Sequence, residues 1–179
     1  LNNESRGNYA PIVKIPAPTQ KDMITLGGDF DLTKYERIFT EVAFSKNDLN
    51  RFSSLDSEDD SGFAVKGGFT SEDRPISFMK HYLFSASADY EFDNEYFNPI
   101  DRFRYIEFNR DWSYNPSETQ DQSSDHIVNA GFNIEKNPLN RFYYKMVKRK
   151  RDIYIDGIQH YINLSQGIGN FQVVSDAFI

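Results

Sequence analysis

Ser77-Phe-Met-Lys-His-Tyr-Leu-Phe-Ser-Ala-Ser-Ala-Asp-Tyr-Glu-Phe92 is the longest run of the chain with an unambiguous period of two. One alternate set reads Phe78, Lys80, Tyr82, Phe84, Ala86, Ala88, Tyr90, Phe92; the other reads Ser77, Met79, His81, Leu83, Ser85, Ser87, Asp89, Glu91. In an extended chain these sets face opposite ways, so the run predicts a strand with one aromatic face and one polar face. Small residues occupy the middle of the aromatic face and rings its two ends. A packed soluble core puts large side chains at mid-strand, whereas a membrane strand gathers Tyr, Trp and Phe at the two interfaces. The run therefore predicts a lipid-facing strand, with Phe78, Tyr82, Phe84, Ala86, Ala88, Tyr90 and Phe92 towards lipid and Lys80 reaching to an interface.

The composition agrees with β-structure. Of 179 residues 16% are aromatic, yet only 39% are hydrophobic and the mean hydropathy is -0.65, so apolar surface comes from Tyr and Phe rather than from Leu-rich or Ala-rich runs. A net charge of -7 argues against a general nucleic-acid binder. There is no cysteine, hence no disulfide framework, thiolate metal site or cysteine nucleophile. No run approaches the apolar length of a membrane-spanning helix, a fact that says nothing against strands, which alternate.

Residues 1–20 read as an extended Pro-rich lead-in, because prolines lack ladder donors. Residues 21–179 read as a single β-meander domain. Its first hairpin pairs the alternating segments Lys21 to Phe30 and Glu36 to Lys46, and a third strand runs from Gly62 to Ser71. Glu72 to Ile76 is expected to turn into the opening strand. Asp125 to Lys136 alternates again, with Val128, Ala130 and Phe132 expected towards lipid. Asn137-Pro-Leu-Asn140 closes its hairpin. The next reversal is ambiguous between the basic run Lys148 to Arg151 and Asp156-Gly157. Strands at Ile158 to Leu164 and Asn170 to Ile179 complete an antiparallel, all-β, up-and-down meander of about eight strands. Short turns then fall at one end and long connections at the other, the asymmetry of an outer-membrane barrel. Such a meander is either a complete small barrel or, as the favoured expectation, part of a larger one, the chain being a piece of a longer protein.

Four phrases carry a resemblance: Tyr9-Ala-Pro-Ile-Val-Lys-Ile-Pro-Ala-Pro18, Thr40-Glu-Val-Ala-Phe-Ser-Lys-Asn-Asp-Leu-Asn-Arg-Phe-Ser-Ser54, Tyr105-Ile-Glu-Phe-Asn-Arg-Asp-Trp112 and Tyr154-Ile-Asp-Gly-Ile-Gln-His160. In these the chain resembles pieces of very large outer-membrane β-barrel proteins of Gram-negative bacteria. The resemblance implies a consecutive run of strands from a larger barrel in that outer membrane, and brings no substrate or catalytic residue with it.

The long connection 93–124 is too aromatic for a disordered tract, so it is expected to fold back as a plug or lid, to extend the sheet above the membrane, or to meet a partner. Tyr96, Phe97, Tyr105, Trp112 and Tyr114, with Arg102, Arg104 and Arg110, are candidate contacts to a glycan or a protein partner. The alternative to a barrel is accordingly a soluble or cell-surface β-sandwich that binds such a partner through 93–124. Lys148, Arg149, Lys150 and Arg151 are candidate contacts to lipid phosphate. Asp56, Glu58, Asp59 and Asp60 lack the spacing of a calcium loop and read as solvated. His81, His126 and His160 are too scattered for a metal site. Glu107 and Asp111 have no context for acid and base chemistry, and no phosphate loop or nucleophile elbow is present. The expectation is therefore no enzyme and no cofactor.

Overall fold

The computed structural model describes residues 16–53, 57–115 and 122–179. The lead-in expected at 1–20 lies largely outside the described residues. The eight strands are β1 (Gln20–Asp31), β2 (Glu36–Asp48), β3 (Ser61–Pro75), β4 (Leu83–Asp93), β5 (Asp125–Asn137), β6 (Asn140–Arg151), β7 (Ile155–Ile168) and β8 (Phe171–Phe178). They form one antiparallel sheet in sequence order. This is the expected up-and-down meander. Closure into a complete small barrel is not realised, because β1 and β8 are the two edges of the sheet and do not pair with each other.

Several expected boundaries are corrected, among them the ends of the last strands, since the strand expected from Ile158 to Leu164 runs as β7 from Ile155 to Ile168. The strand expected from Ser77 begins only at Leu83, and Glu72 to Pro75, read as the turn, belong to β3. A bulge lets β3 continue: the register shifts between Ser71 and Arg74, with Asp73 at φ 51° and its N–H bonded to Ser85 Oγ at 3.0 Å. Beyond Pro75, Met79 N–H donates to Ile76 O and Tyr82 N–H to Met79 O. These local bonds take the donors that a ladder would need, so the alternation of Phe78 and Tyr82 is coincidental, and both lie in the turn rather than on the strand. The β6–β7 reversal uses neither nominated site. It falls at residues 152–154, where Asp152 takes the left-handed region at φ 41° and Tyr154 N–H donates to Arg151 O. Lys148 to Arg151 and Asp156-Gly157 therefore lie inside strands.

The register fixes the tilt. One row of paired residues runs Phe30, Ile38, Phe69, Ala88, Ala130, Met146, His160 across β1 to β7. Phe30 stands one residue before the last pair of its hairpin, Asp31 with Arg37, and His160 eight before the last pair of its own, Ile168 with Phe171. The ladder has thus slipped seven residues over six strand steps. With a rise of about 3.3 Å and a spacing of about 4.8 Å, hairpin ends at one level require strands tilted by roughly 40° to their common axis, within the range of β-barrel walls.

The same register sorts the side chains. Leu26, Val42, Val65, Phe92 and His126 share one face with Tyr90, Ala88 and Val128, while Glu41, Lys66, Asp89, Asn129 and Val147 share the other. The first is called the apolar face and the second the polar face. Rings on the apolar face gather in two clusters. Near the long connections, Phe63 meets Phe92 and Phe92 meets His126, with centroids 5.6 and 4.9 Å apart; near the hairpin turns, Phe132 meets Phe84, Phe142 and Tyr144. Ala86, Ala88, Val128 and Ala130 lie between.

Candidate functional site

Burial is inverted relative to a soluble sheet. On the apolar face Leu26, Phe44 and Ile158 are 76%, 56% and 49% exposed, while on the polar face Asp125 and Arg149 are 3% and 2% exposed. Ser45, Glu91, Asn163 and Ser165 of the polar face are buried too. The cause is the connection after β4. Instead of leaving the sheet, it folds back across the polar face from the β1–β2 side to β7.

Each step of that path is held by a named contact. Asn98 is tied at the near end, its N–H donating to Ser45 Oγ at 2.9 Å and its Oδ1 accepting from Lys21 Nζ at 3.1 Å. Tyr96 and Phe97 pass directly over Gly62, where a Cβ would collide with their backbone. At the far end Gln159 Nε2 donates to Asp111 O at 2.7 Å, and the Trp112 ring lies over Gly157 so closely that a Cβ there would sit 3.3 Å from it. Gly157 is therefore a seat for an indole rather than the turn residue its Asp-Gly pair advertises.

Between these ends sits a reciprocal pair of arginines. Arg104 reaches from the segment to the sheet, bonding Glu91 and, at 2.7 Å, Asp93. Arg149 reaches from the sheet to the segment. It donates to Asp125 Oδ2 at 2.6 Å from one nitrogen and at 3.1 Å from another, and both terminal nitrogens bond Asn109 Oδ1 at 3.1 Å. The Phe108 ring has both guanidinium carbons 4.5 Å from its centroid. Pairing and hydrogen bonding allow these charges to be buried, and the ring quadrupole adds to their attraction. Residues 110–112 make one short 3-10 turn, with Ser113 left-handed at φ 52° at its end. That turn presents Trp112 to β7 and sends Tyr114 back beneath Arg149 and Arg151, whose guanidinium carbons lie 5.9 and 5.7 Å from its centroid.

The expected contact residues thus separate. Arg104, Trp112 and Tyr114 are committed to the sheet. Arg102 and Arg110 are exposed, the latter paired with Glu107 at 2.7 Å. Tyr105 donates to Asp111 Oδ2 at 2.6 Å, a bond that, with that carboxylate's charge and partial burial, pushes the phenol above its ordinary range. The basic run Lys148 to Arg151 is split by the period of two. Arg149 and Arg151 turn to the polar face and Asp125, so they are not available to lipid phosphate, while Lys148 and Lys150 turn to the apolar face and are exposed. Phe84, Ala86, Ala88, Tyr90, Phe92, Val128, Ala130 and Phe132 share the apolar face as their alternation requires. Asn109, Glu91 and Asp125 are not nominated as contacts in the sequence, where only their place on or opposite a polar strand face marks them; Phe108 is marked only as one of the many aromatics of its segment.

Between the segment and the polar face lies a cleft of about 770 Å³, lined among others by Lys66, Asp89, Lys145, Tyr143 and Tyr161. Lys66 lies 3.5 Å from Glu91 and 4.0 Å from Asp89, and Asn129 Nδ2 donates to Asp89 at 2.9 Å. The cleft thus carries charges of both signs held against one another. Among the described residues no group of three or more His, Cys, Asp or Glu is gathered for a metal, and Asp56 of the acidic loop lies outside them. Two of the three histidines lie on the apolar face, where Tyr90 Oη bonds His126 Nδ1 at 2.7 Å and Tyr144 Oη bonds His160 Nδ1 at 2.9 Å, while His81 lies in the connection before β4 with a left-handed φ of 68°. Comparison with protein-family models, with curated proteins and with solved structures gives no match for this chain.

Proposed function

We propose that the chain is a stretch of wall from an outer-membrane β-barrel, its apolar face on lipid and its polar face on the lumen, with residues 94–115 folded inward to narrow the passage. One observation carries this reading: the connecting segment covers the polar face and leaves the apolar one bare. A water-soluble sheet gains its stability by the opposite choice, at about 25 cal/mol per Å² of apolar surface removed from water. In a bilayer the bare face meets hydrocarbon, the two ring clusters meet the two interfaces, and the buried ion pairs line an aqueous interior. The tyrosine-histidine pairs give four polar side chains of the apolar face partners of their own, as a lipid environment favours.

Size supports a barrel larger than this chain. An eight-stranded barrel is filled by its own inward side chains, whereas here a whole segment and a cleft occupy that side. Further strands beyond β1 and β8 would supply the width. Transport, or a structural role in a wall with a constriction, follows from the same geometry. The surface β-sandwich that binds a glycan or protein has less support, because Arg104, Trp112 and Tyr114 are spent on holding the segment to the sheet.

Detergent dependence is the direct test. The wall reading expects a chain that needs detergent or lipid to stay monomeric and folded; recovery of a folded monomer from the soluble fraction would contradict it. Replacing Ala86 by Arg should cost roughly 2–4 kcal/mol in a bilayer if that face meets lipid.

A further inference from the structure

Resting on the wall reading, we infer that Lys148 and Lys150 of β6, with His126 of β5, form a binding site for the phosphate of a lipid headgroup in the leaflet on the side of the long connections. Lys148 lies opposite Val128 and Ile158, and Lys150 opposite His126 and Asp156. Both lysines are exposed on the apolar face, and among the described residues neither takes part in an ion pair. Two ammonium groups two residues apart, beside a ring cluster, stand where headgroup phosphates would lie. Tyr90 Oη is bonded to His126 Nδ1; with Tyr90 as donor, the ring proton is on Nε2 and makes a third donor.

The surroundings select a lipid over a free anion. The shallow hollow of about 820 Å³ that holds the three residues also carries the carboxylates of Glu95 and Asp152, which weaken the pull on a small phosphate. Towards the hairpin turns the same face continues as Val128, Ala130, Met146 and Ile158, an apolar surface on which acyl chains of the same molecule can lie. A headgroup phosphate tied to hydrocarbon satisfies both parts at once.

The test is titration of the detergent-purified protein, followed by native mass spectrometry, with diphosphorylated lipid A, with the same lipid stripped of phosphate, and with inorganic phosphate. Wild type should hold the phosphorylated lipid about thirtyfold more tightly than the stripped one. The double variant Lys148→Gln/Lys150→Gln should lose that preference, and added salt should erase it in wild type. Lys145→Gln, on the polar face of the same strand, should leave it unchanged. A double variant that keeps the preference overturns the site, and so does inorganic phosphate competing in the lipid's own concentration range. The wall reading is scored separately by detergent dependence: a protein that requires detergent but ignores the phosphate loses only this site, and one that folds without detergent loses both.

Discussion

The two faces of the sheet are built from the same strands, often from adjacent residues, yet obey opposite rules. Ser87 and Ala88 are neighbours in β4; one lines the cleft beneath the folded segment and the other lies in the bare row between Phe69 and Ala130. On the polar face, contacts are specific, charged and reach far along the sequence, as from Arg149 to Asn109. On the apolar face they join neighbouring strands and are mostly between rings. The chain places its buried ion pairs on one face and leaves its hydrocarbon uncovered on the other, and the substitutions that follow probe each face where it is most sensitive.

The largest effect belongs to the polar face. Asp125→Ala leaves the Arg149 guanidinium buried without its carboxylate, with Asn109 as its hydrogen-bond partner and the Phe108 and Tyr114 rings against it, and should cost about 3–5 kcal/mol in a denaturant titration of the refolded protein. A loss under 1 kcal/mol would mean that water reaches Arg149 freely and that the segment does not seal it. Next is the pair Ala88→Arg and Ser87→Arg. If the apolar face meets lipid, the first should cost about 2–4 kcal/mol in a bilayer and the second much less, since a position facing an aqueous interior tolerates charge. Equal costs would erase the distinction between the faces.

Smaller effects report on the seat of the segment. Gly62→Val places a side chain against the backbone of Tyr96 and Phe97, so it should cost about 1–3 kcal/mol and make residues 94–115 susceptible to protease. Undiminished protection would show that the segment can shift without leaving. The smallest effect is at Tyr105. Its raised titration means that the protonated phenol donating to Asp111 is the form the fold favours. That contribution is fully present below the unfolded tyrosine range near pH 10 and is lost as pH rises through the folded value. Absorbance titration of wild type against Tyr105→Phe should reveal one phenol titrating late; a difference spectrum centred at the ordinary range would remove the bond.

Much of this arrangement was legible in the chain because a strict period of two depends only on which residue follows which. β1, β2, β5 and the second half of the opening run announced both their existence and their faces. The same period would have divided Lys148 and Lys150 from Arg149 and Arg151, had the run been read as strand rather than as a basic cluster. Phe78 to Tyr82 misled because alternation cannot tell a ladder donor from one spent on a carbonyl three residues away. Gly157 misled because a glycine needed for space and one needed for a turn look identical. Where the folded segment sits was hidden for a different reason: its aromatics and arginines stood out, but their partners, Gly62, Ser45, Glu91 and Asp125, are ordinary residues on distant strands, and only the register of the folded sheet brings them under it.

The central claim, that lipid covers one face and water the other, is open to one direct measurement. Single spin labels at successive positions from Phe84 to Glu91, with the protein in a bilayer, report collisions with dissolved oxygen and with a water-soluble nickel chelate. The account predicts a period of two, with labels at Phe84, Ala86, Ala88 and Tyr90 favouring oxygen and labels at Ser85, Ser87, Asp89 and Glu91 shielded from it. Equal access of the nickel chelate to both sets, or oxygen preference in the second set, would contradict it.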